Sequence, residues 1–137
     1  MMLLALPAAL AGPLLFVLLP YITQEGLSIW LANHHLSRVS LLILIPYFGL
    51  LHPYLEQLHW APLREYGLIS HLLFAGYHMV VLCTLLTLPW LFVCFCVLAT
   101  VSLLWQQVTR QTNSLTVAIT SHILADLGVA IVACLVF

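Results

Sequence analysis

Five apolar stretches, each long enough to span a bilayer and none with the alternation of a strand, take up most of this chain of 137 residues. They run over about 2–22, 39–61, 68–87, 89–105 and 114–137. A helix crosses the hydrocarbon core in roughly 20 residues, whereas a barrel strand is about half as long and alternates in character. The spacing predicts an all-α membrane protein, a polytopic bundle of about five transmembrane helices. Charge agrees: charged residues make up 5% of the chain, against about 25% in a soluble domain. The water-soluble classes are excluded. Basic side chains other than histidine number three, Arg38, Arg64 and Arg110, so there is no basic patch and nucleic acid is excluded as a partner. The length suits a single transmembrane domain over 1–137 with no second domain.

The N-terminal stretch contains Ala9-Leu10-Ala11, the small-x-small pattern of a signal-peptidase site. It lacks a basic leader, and its apolar run continues to Ile22, so a retained first helix is expected. Trp30, Trp60, Trp90 and Trp105 fall near the proposed helix ends, as interfacial aromatics do. The 23–37 connection is the longest and is expected to lie along an interface, with His34 and His35 on the surface. Arg64 and Arg110 fall on one side and Arg38 on the other, which places the 62–67 and 106–113 turns in the cytoplasm. Asn113 or Ser114 is the expected N-cap of the last helix. Gly76 and Gly128 lie mid-helix, where small residues permit close approach. Cys83, Cys94, Cys96 and Cys134 all lie in apolar segments and read as small buried hydrophobes.

Against this background Glu56 and Asp126 stand out. A carboxylate at the centre of a membrane helix costs roughly 2.5–3.5 kcal/mol on insertion scales, and an ionisable group there points to a site with a partner. Counting depth from the presumed cytoplasmic turns, Glu56, His78 and His122 fall in one layer, within about two helical turns of one another. Asp126 follows His122 by four residues and shares its face. A carboxylate and an imidazole can hold and deprotonate a water, and a second imidazole with a carboxyl can stabilise an oxyanion. Blander readings exist for each residue. Glu56 could pair with Arg64, the histidines could be hydrogen-bonded core residues, and Asp126 could bond only Ser121, His122 or backbone. His52, Glu56 and His59 share one helix face at i, i+4 and i+7. His71 lies on a face similar to that of His78, nearer the surface.

Three stretches together resemble a known family. Phe74–His78 has the form FxxxH. His122–Asp126, in NSLTVAITSHILADLGVAI, has the form HxxxD. His52-Pro53-Tyr54-Leu55-Glu56-Gln57 aligns with the opening of an EExxxR motif. The pattern resembles the CPBP (ABI) family, the CAAX prenyl endopeptidases and bacteriocin-processing and self-immunity proteins, which are glutamic intramembrane proteases. The resemblance covers 40–137 as a CPBP-like core and leaves the first helix and loop, 1–38, unmatched. It implies that Glu56 is the general base acting with His78, that His122 and Asp126 stabilise the oxyanion, and that no metal is required. Two positions depart from the motif: Gln57 replaces the second Glu, and Ala61 stands at the arginine position. If the missing Glu and Arg normally pair, losing both strands no buried charge, and Arg64, one turn on, is a candidate substitute.

The expected activity is an intramembrane endopeptidase that hydrolyses a peptide bond near the membrane surface. The expected partners are membrane lipid and a peptide or protein substrate, lipidated in some relatives. The expected location is integral and multi-pass in a bacterial inner membrane. Two alternatives remain open at this point. One is a catalytically inactive relative that binds a membrane or peptide partner. The other is a metal or haem protein using His52, Glu56, His59, His78 and His122, with zinc or iron as the metals suited to imidazole and carboxylate.

Overall fold

The computed structural model describes residues 2–137; Met1, the first residue of the domain expected over 1–137, lies outside them. The chain is all-α, as long apolar runs without alternation require. A 3-10 segment (Met2–Leu10) leads into α1 (Ala11–Ile22), and a short α2 (Leu27–Asn33) follows. Then α3 (Arg38–Pro46), a π-helical segment (Tyr47–Leu51), α4 (His52–Leu63) and a 3-10 turn (Arg64–Tyr66) run on from one another. The chain continues through α5 (Leu68–Leu82), α6 (Leu88–Thr112) and α7 (Thr116–Leu135). Four stretches are long and apolar enough to cross a membrane by length and composition: Ala5–Ile22, Arg38–Tyr66, Leu88–Thr112 and Thr116–Leu135.

The span expected over 68–87 is shorter than its apolar run. α5 has 15 residues, about 22 Å of helix, against ~30 Å of bilayer hydrocarbon. Its last apolar residues form a turn instead, because other partners take up their backbone groups. The Gln24 side-chain amide donates to the carbonyls of Cys83 (3.0 Å) and Leu86 (2.7 Å). Gln24 N–H donates to Leu85 O and Thr87 N–H to Ile22 O, both at 2.9 Å. Trp30 Nε1 donates to Thr84 Oγ1 at 3.0 Å. The 23–37 connection thus docks on the α5–α6 turn, and His34 and His35 are exposed, as expected.

α6 runs to Thr112, two turns beyond the end expected at Trp105. Trp105 is therefore no interfacial anchor; it is buried and packs with Phe74 and Ala118 at the core. Asn113 is not an N-cap. It closes α6 in the left-handed conformation, φ 50°, which Asn tolerates better than most residues. Ser114 is not the N-cap either: Leu115 holds the N-cap position of α7 and makes no side-chain cap bond, while Ser114, one residue earlier, accepts from Thr116 N–H through its Oγ at 3.2 Å.

α7 is the central helix, touching the first stretch, α3, the π segment, α4 and α6. The break before α4 falls between Pro46 and Pro53, each lacking an N–H for the helical ladder. Gly49, in that break, lies against α7: a Cβ there would meet Leu127 Cδ1 at 2.9 Å. Gly12 on α1 faces Gly128, and a Cβ on Gly12 would stand 2.9 Å from Gly128 Cα. Gly128 thus has the packing role read for it. Gly76 does not, since a Cβ there would meet nothing within 4 Å. The cysteines also depart from expectation: only Cys134 is buried, while Cys83 and Cys96 are exposed on the outer surface and Cys94 is partly so.

Candidate functional site

α4 and α7 bring most of the expected residues together. His52 and Glu56 lie one turn apart on α4, with His52 Nε2 3.9 Å from Glu56 Oε1. From α7, His122 Nε2 lies 3.4 Å from Glu56 Oε2 and 3.5 Å from Asp126 Oδ2. One imidazole nitrogen therefore faces two carboxyl groups within an apolar bundle. Glu56 and His122 are buried, and the Asp126 side chain retains 30% exposure. Glu56 Oε2 has no hydrogen-bond partner among the described residues. Leaving a buried carboxyl oxygen unbonded is costly, so this atom is poised to accept a proton or a hydrogen bond.

Glu56 also lines a groove of about 370 Å³, together with Tyr47, His52, Leu55, His59, Trp60 and Tyr77. Trp60 and Tyr77 stack along it, with ring centroids 5.8 Å apart and planes within 10°. The i, i+4, i+7 face of His52, Glu56 and His59 is thus one wall of an aromatic-lined opening. Among the described residues no three His, Cys, Asp or Glu side chains are arranged to hold a metal ion.

His78 is placed differently. Its Nδ1 bonds the Phe74 carbonyl at 2.8 Å, and its ring lies against Phe74 (4.9 Å) and Tyr77 (4.1 Å). Among the described residues it makes no hydrogen bond or ion pair with Glu56, His122 or Asp126. The FxxxH spacing brings His78 onto the Phe74 backbone, while the imidazoles beside Glu56 are His122, at 3.4 Å, and His52, at 3.9 Å.

Behind this layer is a polar network that sequence reasoning reached in part. Arg64, the candidate substitute for the arginine missing at Ala61, is almost fully buried and donates from Nη1 to Gln57 Oε1 at 2.8 Å. About two helical turns separate Gln57 on α4 from Arg64 in the 3-10 turn that continues it, so both project from one side of this stretch. Arg64 forms no ion pair with Glu56; its Nε donates to Ser102 Oγ at 3.1 Å. Its guanidinium also lies over the rings of Phe74 (5.6 Å) and Trp105 (5.3 Å). Such cation–π contacts partly offset the loss of water around a buried cation. Arg64 Nη2 and Thr109 Oγ1 are buried with no hydrogen-bond partner among the described residues, and the two residues line a cavity of about 20 Å³, room for one water.

The network continues outward. His71, expected nearer the surface, is buried, bonding Ser102 Oγ through Nδ1 at 2.9 Å and Gln106 Oε1 through Nε2 at 3.2 Å. The exposed Glu65–Arg110 pair, 2.6 Å, closes the end of the bundle, and Gln106 Nε2 donates to Arg64 O (2.8 Å) and Glu65 Oε1 (3.3 Å). The burial of Arg64 leaves Arg110 as the exposed arginine at this end. Ser102 beside His71 is no nucleophile: it is wholly buried, so no substrate carbonyl can reach its Oγ. The sequence signals for this network were Ser102 and Gln106, four residues apart on α6 and so on one face of it.

His122 is clamped as well. Its ring lies 4.7 Å from the Trp105 indole, whose Nε1 donates to Ser121 Oγ at 2.7 Å. Gln57 Nε2 meets His122 Nδ1 at 3.1 Å. No protein-family model, curated protein or solved structure matches this chain.

Proposed function

We propose that the chain is an integral, multi-pass membrane protein of a bacterial inner membrane, acting as an intramembrane endopeptidase of the CPBP type. The observation that carries the reading is Glu56. Its Oε2 is buried with no hydrogen-bond partner among the described residues, it borders an aromatic-lined groove, and it lies 3.4 Å from His122 Nε2. In this reading Glu56 takes a proton from a water molecule as the water oxygen bonds to the scissile carbonyl carbon. His122 Nε2–H stabilises the resulting oxyanion, together with the Asp126 carboxyl when that group carries its proton. The C–N bond then breaks, and the proton passes to the leaving amine. His78, held by the Phe74 carbonyl at one nitrogen, offers its other nitrogen to water or substrate. The substrate is a membrane-associated peptide or protein, lipidated or not, that enters along the groove. No step in this sequence calls for a metal.

The test is cleavage of a panel of lipidated and leader peptides by purified protein in vesicles. Glu56→Ala is expected to abolish cleavage while the protein still accumulates in the membrane. Normal cleavage by that variant sinks the assignment. A second reading, a non-catalytic binder, is favoured by one observation: His78 makes no direct bond to Glu56. It predicts peptides that bind but are left uncut by wild type and Glu56→Ala alike.

A further inference from the structure

We infer that Gln57, oriented by Arg64, sets the tautomer of His122 so that its proton sits on Nε2, the nitrogen that faces the two carboxyl groups. The argument is one of donors and acceptors. Arginine carries donors and no acceptor, so the Gln57 atom facing Arg64 Nη1 at 2.8 Å must be the amide oxygen. That leaves the Gln57 NH₂ facing His122 Nδ1 at 3.1 Å. An amide NH₂ only donates, so Nδ1 accepts and carries no proton, and the imidazole proton lies on Nε2. Nε2 is the atom 3.4 Å from Glu56 and 3.5 Å from Asp126.

The outer part of the network holds this arrangement. Arg64 cannot turn away, because its Nε is bonded to Ser102, which is bonded in turn to His71. A guanidinium and an amide do not readily pass protons along a chain, so the series Ser102–Arg64–Gln57 orients His122 rather than feeding it protons. A glutamate at position 57 would do the reverse. An ionised carboxylate accepts from both sides, taking one bond from Arg64 and one from an Nδ1–H, and His122 would then present a bare Nε2 to Glu56 and Asp126. Gln57 is therefore a positioning residue: it fixes His122 as a donor, which suits oxyanion stabilisation and leaves Glu56 as the base. The functional half of this inference rests on the peptidase reading; the tautomer does not.

The experiment is ¹⁵N NMR of histidine- and glutamine-labelled protein in bilayers, with His122 assigned by the loss of its signals in His122→Gln. In wild type, His122 Nδ1 should appear unprotonated and coupled to Gln57 Nε2 across the hydrogen bond, with Nε2 protonated. Free imidazole already leans to that form, so the decisive sample is Gln57→Glu, which retains a partner for Arg64. There the protonated nitrogen should change to Nδ1, with a reversal in population of about tenfold, the worth of one hydrogen bond. Arg64→Met, which frees the amide to turn over, should give mixed tautomers. A wild-type Nδ1–H signal, or an unchanged tautomer in Gln57→Glu, overturns the inference. If Gln57→Glu does not fold, the wild-type coupling alone decides: present, it supports the inference; absent, it overturns it. The expected tautomers in a protein that cuts no peptide would uphold the inference and sink the peptidase reading; cleavage with the wrong tautomer would do the opposite.

Discussion

In its first half α7 meets its neighbours through polar side chains: His122 against Gln57 and Glu56, and Ser121 against Trp105. In its second half it meets them where side chains are missing or short, with Gly128 on the Gly12 backbone and Leu127 over Gly49. Inside an apolar bundle these are two different ways to hold a helix. Hydrogen bonds between buried groups are directional, and one lost partner strands another. Close backbone packing needs only that nothing be in the way. The first half can position chemistry because each bond specifies which atom faces which. The second, beyond Asp126, fixes how closely α1 and α7 lie and specifies no chemistry.

The contrast breaks most visibly at Gly128. Gly128→Leu drives a side chain into Gly12 backbone atoms 3.0–3.1 Å from its Cβ, and should cost about 3 kcal/mol or more in reversible unfolding from mixed micelles, with the ¹⁵N signature of His122 retained wherever the protein folds. Tolerance of that leucine would show that the seam is looser than its geometry. Next comes Arg64→Met, similar in length but without donors. It leaves Gln57 Oε1 unbonded and removes a charge-assisted hydrogen bond, for about 2 kcal/mol by the same measurement; no loss would show that the network is ornamental to stability. Gly49→Ala is smaller, about 1 kcal/mol, because the nearest atom is the movable end of Leu127 at 2.9 Å. Gly76→Ala marks the control, since its Cβ would meet nothing within 4 Å. It should raise stability by about 0.5–1 kcal/mol through the backbone entropy of glycine, and a loss there would mean that the helix carries a contact outside the bundle.

What the sequence disclosed follows the same division. The candidate spans were legible because hydrocarbon demands long apolar runs, and the layer of Glu56, His78 and His122, with Asp126 one turn on from His122, was legible because ionisable groups there are conspicuous and helical rise fixes their depth. Depth says nothing of rotation about the helix axis, which is why His78 shares the layer yet bonds the Phe74 backbone. The third span was overread because Gln24, some 60 residues away, takes the carbonyls of its final turn, and no local pattern carries that. The glycine seam was half legible: Gly76 and Gly128 look alike in sequence, and only packing tells which one is crossed. The sequence offers Arg64 as a substitute for the missing arginine, but its reach to Gln57 depends on the helix continuing through Pro62 into the 3-10 turn. Trp105 lies inside rather than at the end of its helix because Gln106, the first polar residue after it, turns inward to His71 and the Arg64 carbonyl, while Gln107, Arg110 and Gln111 further on are exposed.

The central claim is that Glu56 and His122 act as one unit in peptide hydrolysis. A double-mutant cycle on the cleavage rate in vesicles tests it most directly, using Glu56→Gln, His122→Gln and the pair. Each single substitution should lower the rate by about 100-fold or more, and the pair should fall little further than the worse single, as groups that work together do. Losses that multiply, or wild-type cleavage by either single variant, would contradict the account.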